Sequence, residues 1–163
     1  MFVVSDTSVI SNLAIIGLLG ILKNQFELVT VPMAVKNELA ALDRVEARTQ
    51  IETAFAEGWL RVVALDEAEL ALAGTFKLHK GEAEAISLPR SRNAVLLCMD
   101  ERRGRAKAIE LGIRIVGILG LLLREKDDGR LESIRQHLEA LSKDLKFFMS
   151  RVLIDEVLAS AGE

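Results

Sequence analysis

Four carboxylates in this sequence stand where their neighbours are apolar. Asp6 and Asp100 each follow a short apolar run, Phe2-Val3-Val4-Ser5 for the first and Val95-Leu96-Leu97-Cys98-Met99 for the second. Glu38 lies three residues after Val35 and four before Leu42, and Glu82 three before Ala85 and four before Ile86. Those spacings put each glutamate on the apolar stripe of a helix, where an unpaired charge is costly. Glu84, two positions beyond Glu82, must then point elsewhere. Each acid alone has an ordinary structural use. Asp6 and Asp100 suit helix caps, Glu82 a helix-dipole partner, and Glu38 the solvent edge of its stripe. All four at one sheet edge would repel one another and raise one another's pKa. A divalent cation neutralises such a cluster, and hard oxygen donors without His or Cys suit Mg²⁺ or Mn²⁺. Four carboxylates can hold one or two such ions, and the chemistry they serve is metal-assisted hydrolysis.

The elements that must position these acids alternate between strand and helix. Short apolar runs at Phe2–Val4, Leu28–Val31, Leu60–Val63, Ala94–Met99 and Ile113–Val116 read as strands buried on both faces. Helices are expected over Val9–Leu22, from Pro32 onward, over Val45–Ala56, from an Asp66 cap to Ala73, and over Glu82–Leu88, where Pro89 ends the helix early. Further helices follow over Arg102–Leu111, stopped by Gly112, and over Gly117–Asp127, Leu131–Leu141 and Val152–Ala159. The pattern predicts an α/β fold, a three-layer α/β/α sandwich around a mainly parallel five-stranded sheet, with extra C-terminal helices. No linker or repeat breaks the chain. One domain over residues 1–163 is expected, with a core to about residue 125 and a helical extension from about 126 to 163. In such sheets the chemistry gathers at the carboxyl ends of the strands, which is where Asp6 and Asp100 fall.

Composition narrows the function. Half of the 163 residues are apolar, enough for a full core. Aromatic residues make up only 4%, so a base-stacking platform is not expected. The net charge of −3 argues against a broad electrostatic grip on nucleic acid. Without the four acids in question, however, fewer acids remain than the 21 Lys and Arg. The lone Cys98 lies in an apolar run, which suits a buried small hydrophobe and excludes an intrachain disulfide. No signal peptide or membrane-length apolar stretch is legible, so a cytoplasmic protein that does not enter membranes is expected. There is no phosphate-binding G-x-x-x-x-G-K-[ST] loop. The position two after Asp6, where an aspartyl-phosphate phosphatase has its second Asp, is Ser8. The acids and late lysine of a response-regulator receiver are not found in their set order.

The blocks "VVSDTS", "VPMAVKNELA", "LHKGEAEAISL" and "LLCMDERRGRAKAIELGI" occur in the order of a PIN domain. Together they resemble this family of metal-dependent ribonucleases, which includes the toxins of the virulence-associated BC toxin–antitoxin systems. The resemblance spans roughly residues 1 to 125. The last two blocks and the ending "LKFFMSRVLIDEVLASAGE" are similar to a prokaryotic branch of PIN proteins predicted to bind nucleic acid. The resemblance implies Asp6, Glu38, Glu82 and Asp100 as the catalytic, metal-binding cluster. It implies Thr7 or Ser8 as hydrogen-bond partners of the first carboxylate or a metal-bound water, and Glu101 as an outer-shell acid. The family often has Asp where Glu82 stands, so a longer arm must reach the ion here. The implied activity is hydrolysis of RNA phosphodiester bonds with one or two Mg²⁺ or Mn²⁺ ions. The implied partners are the RNA substrate, a small antitoxin protein and a second copy of the chain. Arg102, Arg103 and Arg105 either bind substrate phosphates or form a solvated face in which Glu101 and Arg105 pair. His79 and His137 have no metal-like spacing and are given no role. The alternative to the enzyme is a catalytically silent PIN-like scaffold acting in a nucleic-acid or protein complex.

Overall fold

The computed structural model describes residues 2–145 and 147–163. Lys146, inside the ending that carries part of the resemblance, lies outside the described residues. By its internal contacts the chain divides into two units, Met1–Gly117 and Ile118–Glu163.

The first unit is built on five parallel strands: β1 (Val3–Ser5), β2 (Val29–Pro32), β3 (Leu60–Val63), β4 (Leu96–Cys98) and β5 (Ile115–Val116). Their order is β3-β2-β1-β4-β5. The chain leaves central β1 towards β2 and β3, then returns to its other side for β4 and β5. The strand order therefore reverses between β1 and β4, and a crevice opens there beyond the carboxyl ends of the strands. Register matters to the site: Ser5 pairs with Cys98, so the next residues of both strands, Asp6 and Met99-Asp100, emerge together.

Among the described residues, seven helices connect these strands. α1 (Thr7–Ile15) and α2 (Gly20–Phe26) follow β1, and α3 (Met33–Ala40) and α4 (Val45–Glu57) follow β2. α5 (Glu67–Gly74) and α6 (Lys80–Arg92) join β3 to β4, and α7 (Arg102–Glu110) joins β4 to β5. Val4, Leu97 and Met99 pack with Ala83, Ile86 and Leu88 of α6 and Ala108 of α7 in one core. Val3 and Cys98, next along their strands, point to the opposite face by the pleat. Right-handed crossovers place α1 and α4 on that face. Each fully buried Leu or Ile here contributes about 1.5–3 kcal/mol.

Two expectations about helices are corrected. The apolar run after Asp6 is two helices, because Gly17 turns the chain at φ +75°. Pro89 does not end α6, which continues to Arg92 with Pro89 buried inside it. The last turn is held by Ser91 and Arg92, which both donate to the Glu69 carboxylate. These contacts offset the backbone bond that Pro89 cannot make.

The second unit holds α8 (Ile118–Asp127), α9 (Arg135–Asp144) and α10 (Arg151–Ser160). α9 starts four residues later than the Leu131 of the sequence reading. The Glu163 carboxylate accepts from Ile134 N and Ser133 Oγ at 2.7 Å and from Lys126 Nζ at 2.9 Å, which satisfies the start of α9. These donors hold the Glu163 carboxyl down at about 2, the Ile134 N–H foremost. Buried Glu125 pairs with Arg130 at 2.9 Å. Among the described residues no helix is long and apolar enough to cross a membrane.

Candidate active site

Asp6 caps α1. Its Oδ1 accepts from Val9 N at 3.1 Å and its Oδ2 from Ser8 Oγ at 2.7 Å. Its own N–H donates to Cys98 O at 3.0 Å, which continues the β1–β4 ladder by one residue. The side chain is only 1% exposed. Burial foremost, with the charges of Asp100 and Glu82 added, pushes its carboxyl up to about 7 against the lowering effect of Ser8 and Val9. Cys98 beneath it is buried, and its thiol is driven far up by that burial and by the charges of Asp6 and Asp100.

Asp6, Thr7, Ser8, Glu38, Glu82 and Glu101 share one cavity of about 310 Å³ with His79. Glu38 is exposed rather than on the core side of α3. Its carboxylate accepts from Thr7 Oγ1 and from Gly81 N at 3.1 Å. A Cβ at Gly81 would fall 2.5 Å from Glu38 Oε2, so a side chain there would displace this carboxylate from the start of α6. Glu82 is half-buried and reaches back to the backbone N–H of His79, the residue that caps α6. Burial raises its pKa first, then the charges of Glu101 and Glu38, while His79 opposes them.

Asp100 stands at the end of β4, half-buried and close enough to Asp6 to raise its pKa. Its Oδ1 occupies the space that a Cβ at Gly117 would fill. The acid from this segment that lines the cavity is its neighbour Glu101. Among the described residues, no three acids, imidazoles or thiols stand together as a ready-made metal cage. The Asp6 and Glu38 carboxylates are instead turned to hydroxyl and N–H donors of the chain itself.

The three arginines after Asp100 diverge. Arg102 is exposed at the start of α7. Arg103 donates to Lys77 O at 2.7 Å. Arg105 turns back to Met99 O at 2.8 Å, where it secures the end of β4. Sequence reasoning missed two residues. His79, set aside for want of a metal spacing, lines the cavity. Its place just before Gly81-Glu82 was the available signal. Glu84 is buried, and its Oε2 accepts from Ala34 N at 3.3 Å. It thus supplies from α6 the helix cap that Pro32, with no side-chain donor or acceptor, cannot give α3.

A chain that sets Asp6 at the end of its central strand, with further acids brought around it from α3, from α6 and from the segment between β4 and α7, has the layout of one family. A family model described as a PIN domain matches residues 2–163. No curated protein matches the chain. The match extends through both units and includes the C-terminal helices that the sequence resemblance reached only in part. The chain belongs to the PIN-domain family, whose members are generally nucleases.

Proposed function

We infer that the protein is a metal-dependent endoribonuclease. The observation that carries this reading is Asp6, a buried carboxylate at the strand-order reversal, sharing one cavity with Glu38, Glu82 and Glu101. The donor set fits a hard divalent cation, since every acid offers oxygen and two glycines leave room for the carboxylates of Glu38 and Asp100. Asp6, Glu38, Glu82 and Asp100 would hold Mg²⁺ or Mn²⁺, as one ion or two. When bound, such an ion supplies Lewis acidity and a water of lowered pKa for attack on phosphorus.

The chain's own groups do the positioning. Ser8 and Val9 N–H fix both oxygens of Asp6, and Thr7 with Gly81 N–H fixes Glu38. Arg102 and Arg103, both exposed, would meet phosphate oxygens. Arg105 acts through the backbone of Met99 as a positioning residue. A role as the toxin of a toxin–antitoxin pair extends this reading. It would be tested by co-purification of a small antitoxin and by light scattering for a homodimer.

RNA cleavage in Mg²⁺, Mn²⁺ and EDTA, with wild type beside Asp6→Asn, tests the activity. Cleavage that needs the metal and is lost in a folded Asp6→Asn supports it, while full activity in that variant would sink it. One observation favours the silent-scaffold alternative: the carboxylates of Asp6 and Glu38 are already satisfied by donors within the chain. Titration calorimetry with Mn²⁺ separates the two, because a scaffold has no use for the ion.

A further inference from the structure

The two segments that flank the acid cavity run directly into a second one. His79 and Glu82 line the acid cavity, and the residues just before them, 75–78, line a cavity of about 390 Å³. Glu101 lines the first, and α7, which starts at the next residue, lines the second with Arg103, Lys107 and Glu110. The lining cations are Lys77, Arg103 and Lys107, against a single acid, Glu110. Glu110 and Lys107 form an ion pair, with Nζ at 2.9 and 2.8 Å from the two oxygens, so the net positive charge of the cavity rests on Lys77 and Arg103, and Lys107 adds to it when a phosphate takes the place of Glu110. In a chain of net charge −3, this second cavity is a local positive patch beside an acidic one.

Its cations are held in place. Lys107 Nζ lies 5.9 Å from the centroid of the Phe76 ring, and Phe76 is buried, so the ring steadies the ammonium and offers no face to a base. Lys77 adopts φ +28°, a strained conformation for a side-chain-bearing residue, and Arg103 secures it by donating to its carbonyl. Arg103 and Lys107 are one turn apart on α7, about 6 Å along its axis. That spacing suits successive phosphates of one strand.

We propose that this cavity is a track for the sugar–phosphate backbone of a single-stranded nucleic acid whose scissile bond lies in the acid cavity. The assignment rests on the nuclease reading for what happens at the acids, and on charge and geometry for the track itself. Lys77, Arg103 and Lys107 contact phosphates, and no side chain of the track reads a base. Binding is therefore independent of sequence and sensitive to salt.

The test is fluorescence anisotropy in EDTA with single strands of about twelve nucleotides, as RNA and as DNA, and with a trinucleotide. Wild type is compared with the double variant Lys77→Gln, Lys107→Gln. The longer strands of both kinds should bind about tenfold more weakly to the variant, with the trinucleotide unchanged. Two lost phosphate contacts should reduce the salt slope by about 1.4. Lys107→Arg, which keeps the charge, should bind as wild type and so exclude a folding defect. The proposal is overturned by unchanged affinity and slope in the double variant, by equal loss for the trinucleotide, or by tighter wild-type binding to polyglutamate than to either strand. Failure of the nuclease reading looks different: a wild type that binds the longer strands but cleaves none in any metal.

Discussion

Two buried carboxylates in this protein have opposite fates. Asp6 and Glu69 are 1% and 3% exposed, yet the first carboxyl is pushed up to about 7 and the second held down at about 2. Glu69 faces the Arg92 guanidinium at 2.6 Å, with Ser91 Oγ and Asp66 N donating as well, and Arg92 is the largest cause of its shift. Among the described residues, Asp6 has Ser8 and Val9 as its donors, and the charges that act on it are those of Asp100 and Glu82. Both are shielded from solvent, but burial is the foremost cause of the rise at Asp6, whereas the Arg92 guanidinium is the foremost cause of the fall at Glu69. A paired acid locks α5 to α6, whereas an acid with other acids as neighbours has its charged form disfavoured. The comparison teaches where to look for function in such a fold: at the buried acid that its own chain leaves without a counter-charge.

Substitutions at the two sites should separate accordingly. The largest effect is expected for Asp6→Asn, which removes the central charge of the cluster. RNA cleavage should fall on the order of 100-fold or more, while thermal unfolding stays at or above the wild-type temperature because a buried, unpaired charge is gone. A clear loss of stability would show that Asp6 serves the fold as Glu69 does. Next is Gly117→Ala, whose new Cβ would occupy the position of Asp100 Oδ1. Displacing that carboxylate should lower cleavage about tenfold, by analogy with a misplaced catalytic group, with circular dichroism unchanged.

The converse experiment is Glu69→Gln. It should cost about 1–2 kcal/mol of stability through weakened hydrogen bonds to a charged partner, read by urea unfolding, and leave cleavage by the folded protein intact. The smallest and most diagnostic effect is the pH dependence of that difference. Glu69 is held below its usual 4.5, so its stabilisation is fully present above that value and fades as pH falls towards about 2. The gap in melting temperature between wild type and Glu69→Gln should therefore shrink in acid. A gap that widened there would contradict the pairing with Arg92.

Much of the fold could be read from runs and caps. Leu60–Val63 stands as expected, and the other strands fall within a few residues of their apolar runs. Asp66 caps α5 in a full capping box, and Gly58 ends α4 in the left-handed conformation, both local effects visible in short windows. Apart from the local turn at Gly17, the errors came where distant residues intervene. Pro89 reads as a stop until Glu69 anchors the turn beyond it. Glu84 reads only as pointing away from the stripe of Glu82 until Ala34 needs an acceptor.

The sequence by itself determined the elements, their alternation and the placement of Asp6 and Asp100 just past two strands, because apolar runs and capping side chains act over a few residues. Only the tertiary structure decided which acids meet. The parallel β1–β4 register brings Asp6 beside Asp100, glycine at positions 81 and 117 leaves room for the carboxylates of Glu38 and Asp100, and the start of α6 carries His79 into the cavity. These are contacts between residues tens of positions apart. The charge that each acid meets there, and hence its protonation, is set by space rather than by spacing.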